Sequence, residues 1–222
     1  MKRREFIKTG IAGSLALSGV LNLHRSELKG APAVGNNSNQ INKNTMKIVV
    51  LTGSPRRNGN TAFLADNFIK GAKEAGHNIF RFDAAFQKVE GCTACNSCGM
   101  NGPCVLKDDF DTLRPHIIEA GMVVFVTPMY YFGISSQLKK VIDRFYAING
   151  QIKGSPKKAA YMMAYANTSD SEAQPMVSHY QTLVDYLGWK DVGQIIAPGM
   201  WPAGAVKNTN FGNKAYQLGK SV

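Results

Sequence analysis

From about residue 46 onward, short apolar runs alternate with stretches of helical periodicity, which predicts an α/β domain: a three-layer sandwich with five parallel strands between helices. Two further observations support that class. Residues 122–126 are apolar at every position, as a strand covered on both faces must be. Successive apolar runs are separated by helical stretches, so neighbouring strands need right-handed crossovers.

Each element follows from its own residues. Lys47 to Thr52 is a β-branched run closed by Gly53-Ser54-Pro55, a buried strand ending in a loop. Ala62, Leu64, Ala65, Phe68, Ile69 and Ala72 then recur at helical spacing as far as Gly76. Residues 78–83 alternate as a weaker second strand, and residues 122–126, bounded by Gly121 and Pro128, form a central third. Leu138, Val141, Ile142 and Phe145 mark the next helix. A fourth strand is predicted over 158–165, a helix over 175–187, a fifth strand over 192–197 and a last helix over about 210–219. In such sheets ligands sit outside the carboxyl ends of the strands, which directs attention to the loops after the first, third and fourth.

The chain has 222 residues, 44% apolar and 18% charged, enough to bury a core. Its net charge of +11 is uneven, since the first 45 residues carry seven Lys/Arg against two Glu. The remainder is mildly basic and lacks a dense Lys/Arg run with interleaved aromatics, which argues against nucleic acid as a partner. Residues 1–33 read as an export signal: Lys2-Arg3-Arg4 with Phe6 and Lys8, a charge-free stretch from Ile11 to Leu23, and the small-residue site Ala31-Pro32-Ala33. That stretch is shorter than the roughly 20 residues a spanning helix needs, so no membrane span is expected in the mature chain. The paired arginines resemble a twin-arginine (Tat) signal, which implies a periplasmic protein exported already folded. Residues 34–45, rich in Asn, Ser, Gln and Gly, read as a linker, with the folded domain over 46–222.

The segment from Thr52 to Thr61 joins a buried strand to a helix start. Free amides there, the helix dipole and the side chains of Ser54, Asn58, Asn60 and Thr61, beside Arg56 and Arg57, suit a bound phosphate. Asn and Thr in that place also serve as plain helix caps. Neither G-x-x-x-x-G-K-S/T nor G-x-G-x-x-G occurs, which weakens the kinase and dinucleotide-fold dehydrogenase readings.

Taken in order, a set of motifs resembles the flavodoxin-like NADPH-dependent FMN reductases, and within them the iron-sulfur flavoproteins. They are Gly53-Ser54-Pro55-Arg56 with Gly59-Asn60-Thr61, Cys92-x-x-Cys95-x-x-Cys98 leading to Cys104 and Asp108-Asp109, Thr127-Pro128-x-Tyr130, and Lys139-x-x-Ile142-Asp143-Arg144. The resemblance spans 46–222 and implies a flavodoxin-like sheet of order 2-1-3-4-5 with FMN at the switch point. It implies that Ser54, Arg56, Asn58, Asn60 and Thr61 hold the FMN phosphate. It also implies that Pro128, Met129, Tyr130, Tyr131 and Gly133 wrap the isoalloxazine ring. A Pro-stiffened turn would offer backbone amides to the polar ring edge, aromatic faces would cover the ring, and Gly133 would allow close approach. Ala166-Asn167-Thr168-Ser169 departs from the Gly-rich turn of relatives, which leaves Asn167 as the third contact. Relatives of this kind are commonly dimers or tetramers, so a homo-oligomer is implied.

All four cysteines fall in Cys92-x2-Cys95-x2-Cys98-x5-Cys104. One compact loop of soft thiolate donors suits iron and sulfur, whereas structural zinc sites usually draw two close pairs from separate places. Zinc, or two disulfides in an oxidising compartment, remain open from spacing alone. The resemblance implies that Cys92, Cys95, Cys98 and Cys104 ligate a [4Fe-4S] cluster. Asp108-Asp109 read as a helix cap, and the four histidines, with no spaced pair among them, as surface or packing residues.

The expected function is an FMN-dependent oxidoreductase passing electrons between a donor and an acceptor through the cluster. The alternatives are a cluster-free NAD(P)H-dependent FMN or quinone reductase and a non-catalytic FMN electron carrier. NAD(P)H, a quinol or a redox protein would be the donor, and export favours the latter two because nicotinamide nucleotides are scarce outside the cytoplasm. The cofactors carry the chemistry, so no catalytic acid or base is assigned.

Overall fold

The computed structural model describes residues 45–222. The export signal over 1–33 and, apart from Thr45, the linker over 34–45 lie outside the described residues. In chain order the strands are β1 (Lys47–Thr52), β2 (Asn78–Asp83), β3 (Met122–Tyr130), β4 (Gly133–Ile134), β5 (Lys158–Ala164) and β6 (Lys190–Ala197). The helices are α1 (Asn60–Glu74), α2 (Phe110–Glu119), α3 (Ser136–Asp143), α4 (Asn149–Ile152), α5 (Asp170–Leu187) and α6 (Phe211–Ser221). The sheet order is β2-β1-β3-β5-β6, all parallel, with β4 added antiparallel to the end of β3. Leaving β4 aside, this is the predicted 2-1-3-4-5 arrangement, with the all-apolar β3 at its centre.

Alternation along the central strands divides the core. Ile48, Val50, Met122, Val124 and Val126 meet Leu64, Phe68 and Ala215 of α1 and α6 on one face. Val49, Leu51, Val123 and Phe125 meet Leu113, Ile117, Leu138, Val141, Tyr180 and Val184 of α2, α3 and α5 on the other. Each buried Val, Leu, Ile, Met or Phe among them contributes about 1.5–3 kcal/mol by leaving water, so β3, buried on both faces, anchors the fold. On the first face α1 and α6 touch backbone to backbone. A Cβ on Gly71 would lie 2.1 Å from the Tyr216 carbonyl oxygen, and one on Gly219 2.1 Å from that of Phe68.

Several elements differ from the expectations, the short β4 and α4 among them. Helix α2, not anticipated, buries Phe110, Leu113 and Ile117 at helical spacing, and its interior Pro115 masks that signal. Pro175 lies inside α5 rather than at its start. Strand β3 runs on to Tyr130, pairing Pro128 with Ala164 and Met129 with Ile134. The expected Pro-stiffened turn is therefore a strand extension, and the turn itself falls on Tyr131-Phe132.

Candidate functional site

A cavity of about 370 Å³ opens at the carboxyl edge of the sheet, within the size range of small-molecule sites. Its lining includes Ser54, Arg56, Asn60, Thr61, Pro128, Met129 and Tyr130, all named from the sequence. At one end stands the start of α1, whose first amides have no partner within the helix. The Ser54 hydroxyl accepts the Arg56 amide at 3.1 Å, which folds the loop back on itself. Arg56 forms no salt bridge among the described residues, so its charge is uncommitted. Arg57 points elsewhere: its guanidinium stacks over Phe86 at 3.7 Å and lines a neighbouring cavity of about 310 Å³.

Gly53 ties this loop to the next one. Its N–H donates to Val126 O at 2.8 Å, its carbonyl accepts the Ser135 hydroxyl at 2.8 Å, and the Ser135 amide donates to Thr127 Oγ1 at 3.1 Å. A Cβ on Gly53 would stand 2.3 Å from Ser135 Oγ and 2.8 Å from Leu138 Cβ, so only glycine lets the strand end pack on the start of α3. The loop after β3 carries strain instead. Tyr131 and Phe132 both have positive φ, 46° and 61°, the geometry of a type I′ hairpin turn that Asn-Gly would ordinarily supply. Tyr131 is 101% exposed, and Phe132 is exposed beside it.

Asn60 lines the cavity, but its side chain is engaged with the protein. Its Nδ2 donates to the carbonyls of Met200 and Pro202, both at 2.9 Å, and its Oδ1 accepts the Val206 amide at 3.1 Å. Its side chain is therefore not available for the anion role expected of it. These bonds hold the segment after β6 over the cavity, where Met200, Trp201 and Ala203 complete the lining with Tyr165 and Ala166. Sequence reasoning missed that segment. A Trp, 79% exposed, in a Pro- and Gly-rich stretch after a strand end was the available signal. Asn167 and Tyr131 line an adjoining recess of about 230 Å³ with Met129, Phe132 and Ala166. Asn58 and Gly133 line neither space, and a Cβ on Gly133 would meet nothing closer than Tyr130 O at 3.7 Å. Burial raises the Tyr165 hydroxyl above its ordinary pKa, with the Asp170 carboxylate adding to the effect.

The cysteines lie in a long connection, residues 87–109, that contains neither helix nor strand. All four line one cavity of about 190 Å³ with Ala94, Asn96, Leu106, Arg144 and Tyr146 among others. None is joined in a disulfide. Among the described residues no three His, Cys, Asp or Glu side chains converge as a single metal ion would require. The loop backbone turns left-handed at Ala94, Asn96, Gly99 and Met100. Successive amides in such turns form concave nests that receive anions and iron-sulfur groups. The hydroxyl and amide of Ser97, then the Thr93 hydroxyl, hold the exposed Cys95 thiol below its ordinary pKa. Asp109, at the N-cap of α2, makes no capping bond with its side chain, and it is Asp108, one residue earlier, whose Oδ1 accepts the Phe110 amide at 3.0 Å. Asp108 does more: Oδ2 accepts the Glu90 amide at 3.0 Å and Arg144 Nη1 at 2.6 Å. This cavity shares no lining residue with the carboxyl-edge cavity.

These features define a flavodoxin-like α/β protein with an anion-ready cavity at the strand ends. The chain belongs to the NADPH-dependent FMN reductase family, whose model matches residues 46–201, and it is a flavin-dependent oxidoreductase. It is 30% identical over 179 residues to an iron-sulfur flavoprotein of Archaeoglobus fulgidus, covering 80% of this chain and 79% of that one. It is 33% identical over 99 residues to the iron-sulfur flavoprotein MJ1083 of Methanocaldococcus jannaschii, covering 45% of this chain and about half, 51%, of that one. The solved NAD(P)H:quinone oxidoreductase from Methanothermobacter marburgensis shares the fold at a TM-score of 0.63 and 22% identity, over 79% of this chain and 95% of that one.

Proposed function

We propose that this chain is an electron-transferring flavoprotein of the iron-sulfur type, with FMN in the carboxyl-edge cavity and a [4Fe-4S] cluster in the cysteine loop. The observation that carries the flavin assignment is one cavity lined by the start of α1 with an uncommitted Arg56, by Met129 and Tyr130 of β3, and by the Trp201 segment that Asn60 holds in place. The amides of the first turn of α1, with Arg56 and Thr61, would hold the phosphate. Tyr130 would cover the ring, and the Trp201 segment would help keep water from the cavity.

The cluster assignment rests on donor chemistry and shape. Four thiols line a space too large for one ion, on a backbone whose left-handed turns make an amide nest. Cys92, Cys95, Cys98 and Cys104 would be the ligands. Bound there, the two groups would supply two-electron exchange at the flavin and one-electron exchange at the cluster. The basic and apolar pattern of residues 1–33 supports export, and with it a quinol or a redox protein as donor in place of NADPH.

Protein purified without air is expected to carry FMN and roughly four iron and four acid-labile sulfide per chain. A colourless protein that fails to bind added FMN overturns the flavin reading. FMN without iron leaves the cluster-free reductase. Rapid steady-state turnover of the mature protein with NADPH counts against the alternative donors.

A further inference from the structure

We infer that Arg144, besides holding the cysteine loop in place, donates its Nε–H to a sulfur of the group bound there and raises that group's reduction potential. The inference rests on the cluster reading above. Arg144 follows α3 directly, within the Lys139-x-x-Ile142-Asp143-Arg144 motif that the flavin site leaves unused, and its side chain is 1% exposed. A buried guanidinium is costly unless its hydrogens find acceptors. Most do. Nη1 donates to Asp108 Oδ2 at 2.6 Å and to Glu90 O at 3.1 Å, and Nη2 donates to Leu106 O at 3.2 Å. Those partners lie on the two shoulders of the cysteine segment, so one side chain clamps its beginning and its end.

Nε is the one guanidinium nitrogen with no acceptor at all, and it is buried. Leaving such a donor unpaired costs about 1–3 kcal/mol, more for a charged group, so native proteins seldom do it. Arg144 lines the cavity formed by Cys92, Cys95, Cys98 and Cys104, and among the lining side chains it alone carries a fixed charge. A cluster held by four thiolates is anionic and offers sulfur acceptors, which would satisfy the orphaned N–H. Reduction adds one electron to that group, with no bond made or broken. A hydrogen bond from a cation favours the more negative, reduced state, and hydrogen bonds to the sulfurs are an established lever on such potentials.

Full-length wild type, Arg144→Lys, Arg144→Gln and Asp108→Asn, purified without air, are compared by iron and sulfide content. Each is then titrated potentiometrically with dithionite, the cluster followed by electron paramagnetic resonance and the flavin by absorbance. Arg144→Gln is expected to shift the cluster's reduction equilibrium tenfold towards the oxidised form, about 59 mV downward for a one-electron couple. Arg144→Lys is expected to shift it less, and Asp108→Asn, which removes a negative charge, to shift it upward. The flavin potential should stay in place in all three. Iron-loaded variants whose cluster midpoint matches wild type, or in which Arg144→Gln and Asp108→Asn move it the same way, overturn the inference while the cluster reading stands. Wild type without iron and sulfide overturns both. Should a variant fail to fold, pulsed resonance on the reduced wild type, grown with ¹⁵N-labelled arginine, must show nitrogen coupled to the cluster. Absence of that coupling refutes the bond.

Discussion

The loop after β1 and the cysteine connection meet the same demand, a fixed backbone around an anionic guest, with different supports. Residues 53–59 are short, begin on a buried strand and end on a helix, and their tightest glycine contact is Gly53 against Ser135 and Leu138. Neighbouring regular structure holds them. Residues 87–109 have no strand or helix of their own, and the buried Arg144, from outside the segment, holds its shoulders by pairing with Asp108 and bonding the carbonyls of Glu90 and Leu106. The side chains of that pair are 1% and 8% exposed. A loop framed by secondary structure can therefore be perturbed sterically, whereas the cysteine loop is perturbed electrostatically.

The largest effect should come from Arg144→Met. It leaves the buried Asp108 carboxylate with its two amide donors but no counter-charge, and the carbonyls of Glu90 and Leu106 without donors, an expected loss of about 3 kcal/mol. Urea unfolding measures the loss, and FMN titration of the folded fraction should return the wild-type affinity. A matching loss of FMN affinity would mean that the two loops share their support. Gly53→Ala tests the converse with a smaller cost, about 1–3 kcal/mol of overpacking. FMN affinity should fall more than tenfold while iron content per folded chain stays at the wild-type level.

The same difference explains what the sequence discloses. Strand β1 and the start of α1 are legible from periodicity, and Ser54, Arg56 and Thr61 from their place between that strand and that helix, whereas Pro128, Met129 and Tyr130 enter only through the family resemblance. The side chain of Asn60 misleads, since its type suits an anion equally well as it suits the carbonyls of Met200 and Pro202, far along the chain. The cysteines advertise themselves by spacing, but Arg144 reads as one more helix-end cation until the fold buries it. Strand β4 and the Tyr131-Phe132 turn are illegible for a physical reason: aromatic residues are poor occupants of positive φ, so nothing local predicts a turn there.

Acid should separate the two loops further. Burial works to raise the Asp108 carboxyl, but Arg144 and the Glu90 and Phe110 amides outweigh it and hold the group below its ordinary value of 3.8. A carboxylate with a depressed folded pKa contributes stability that is present above the unfolded value and is lost as pH falls through the folded one. The cysteine loop should therefore loosen below about pH 4. Amide exchange near residues 88–108 should accelerate in that range, and Asp108→Asn should abolish the pH dependence. Exchange at the start of α1 should change less.

The smallest effect concerns strain, and it probes whether both loops are held by their surroundings. Every non-glycine residue with positive φ among the described residues, Ala94, Asn96, Met100, Tyr131 and Phe132, lies in the cysteine loop or the hairpin turn beside the carboxyl-edge cavity. Left-handed backbone costs an ordinary residue about 1–2 kcal/mol. Glycine removes that cost but widens the unfolded ensemble by about 0.4–1 kcal/mol. Ala94→Gly and Tyr131→Gly should each stabilise the protein by less than about 1 kcal/mol, Tyr131 losing no packing because its side chain is fully exposed. The readouts should then diverge. Tyr131→Gly should weaken FMN binding with iron unchanged, and Ala94→Gly should lower iron retention with FMN binding unchanged, since each loop loses the rigidity that prepares it for its own guest. Destabilisation by either glycine would mean that these conformations are relaxed rather than imposed, and that the fold does not clamp the loops from outside.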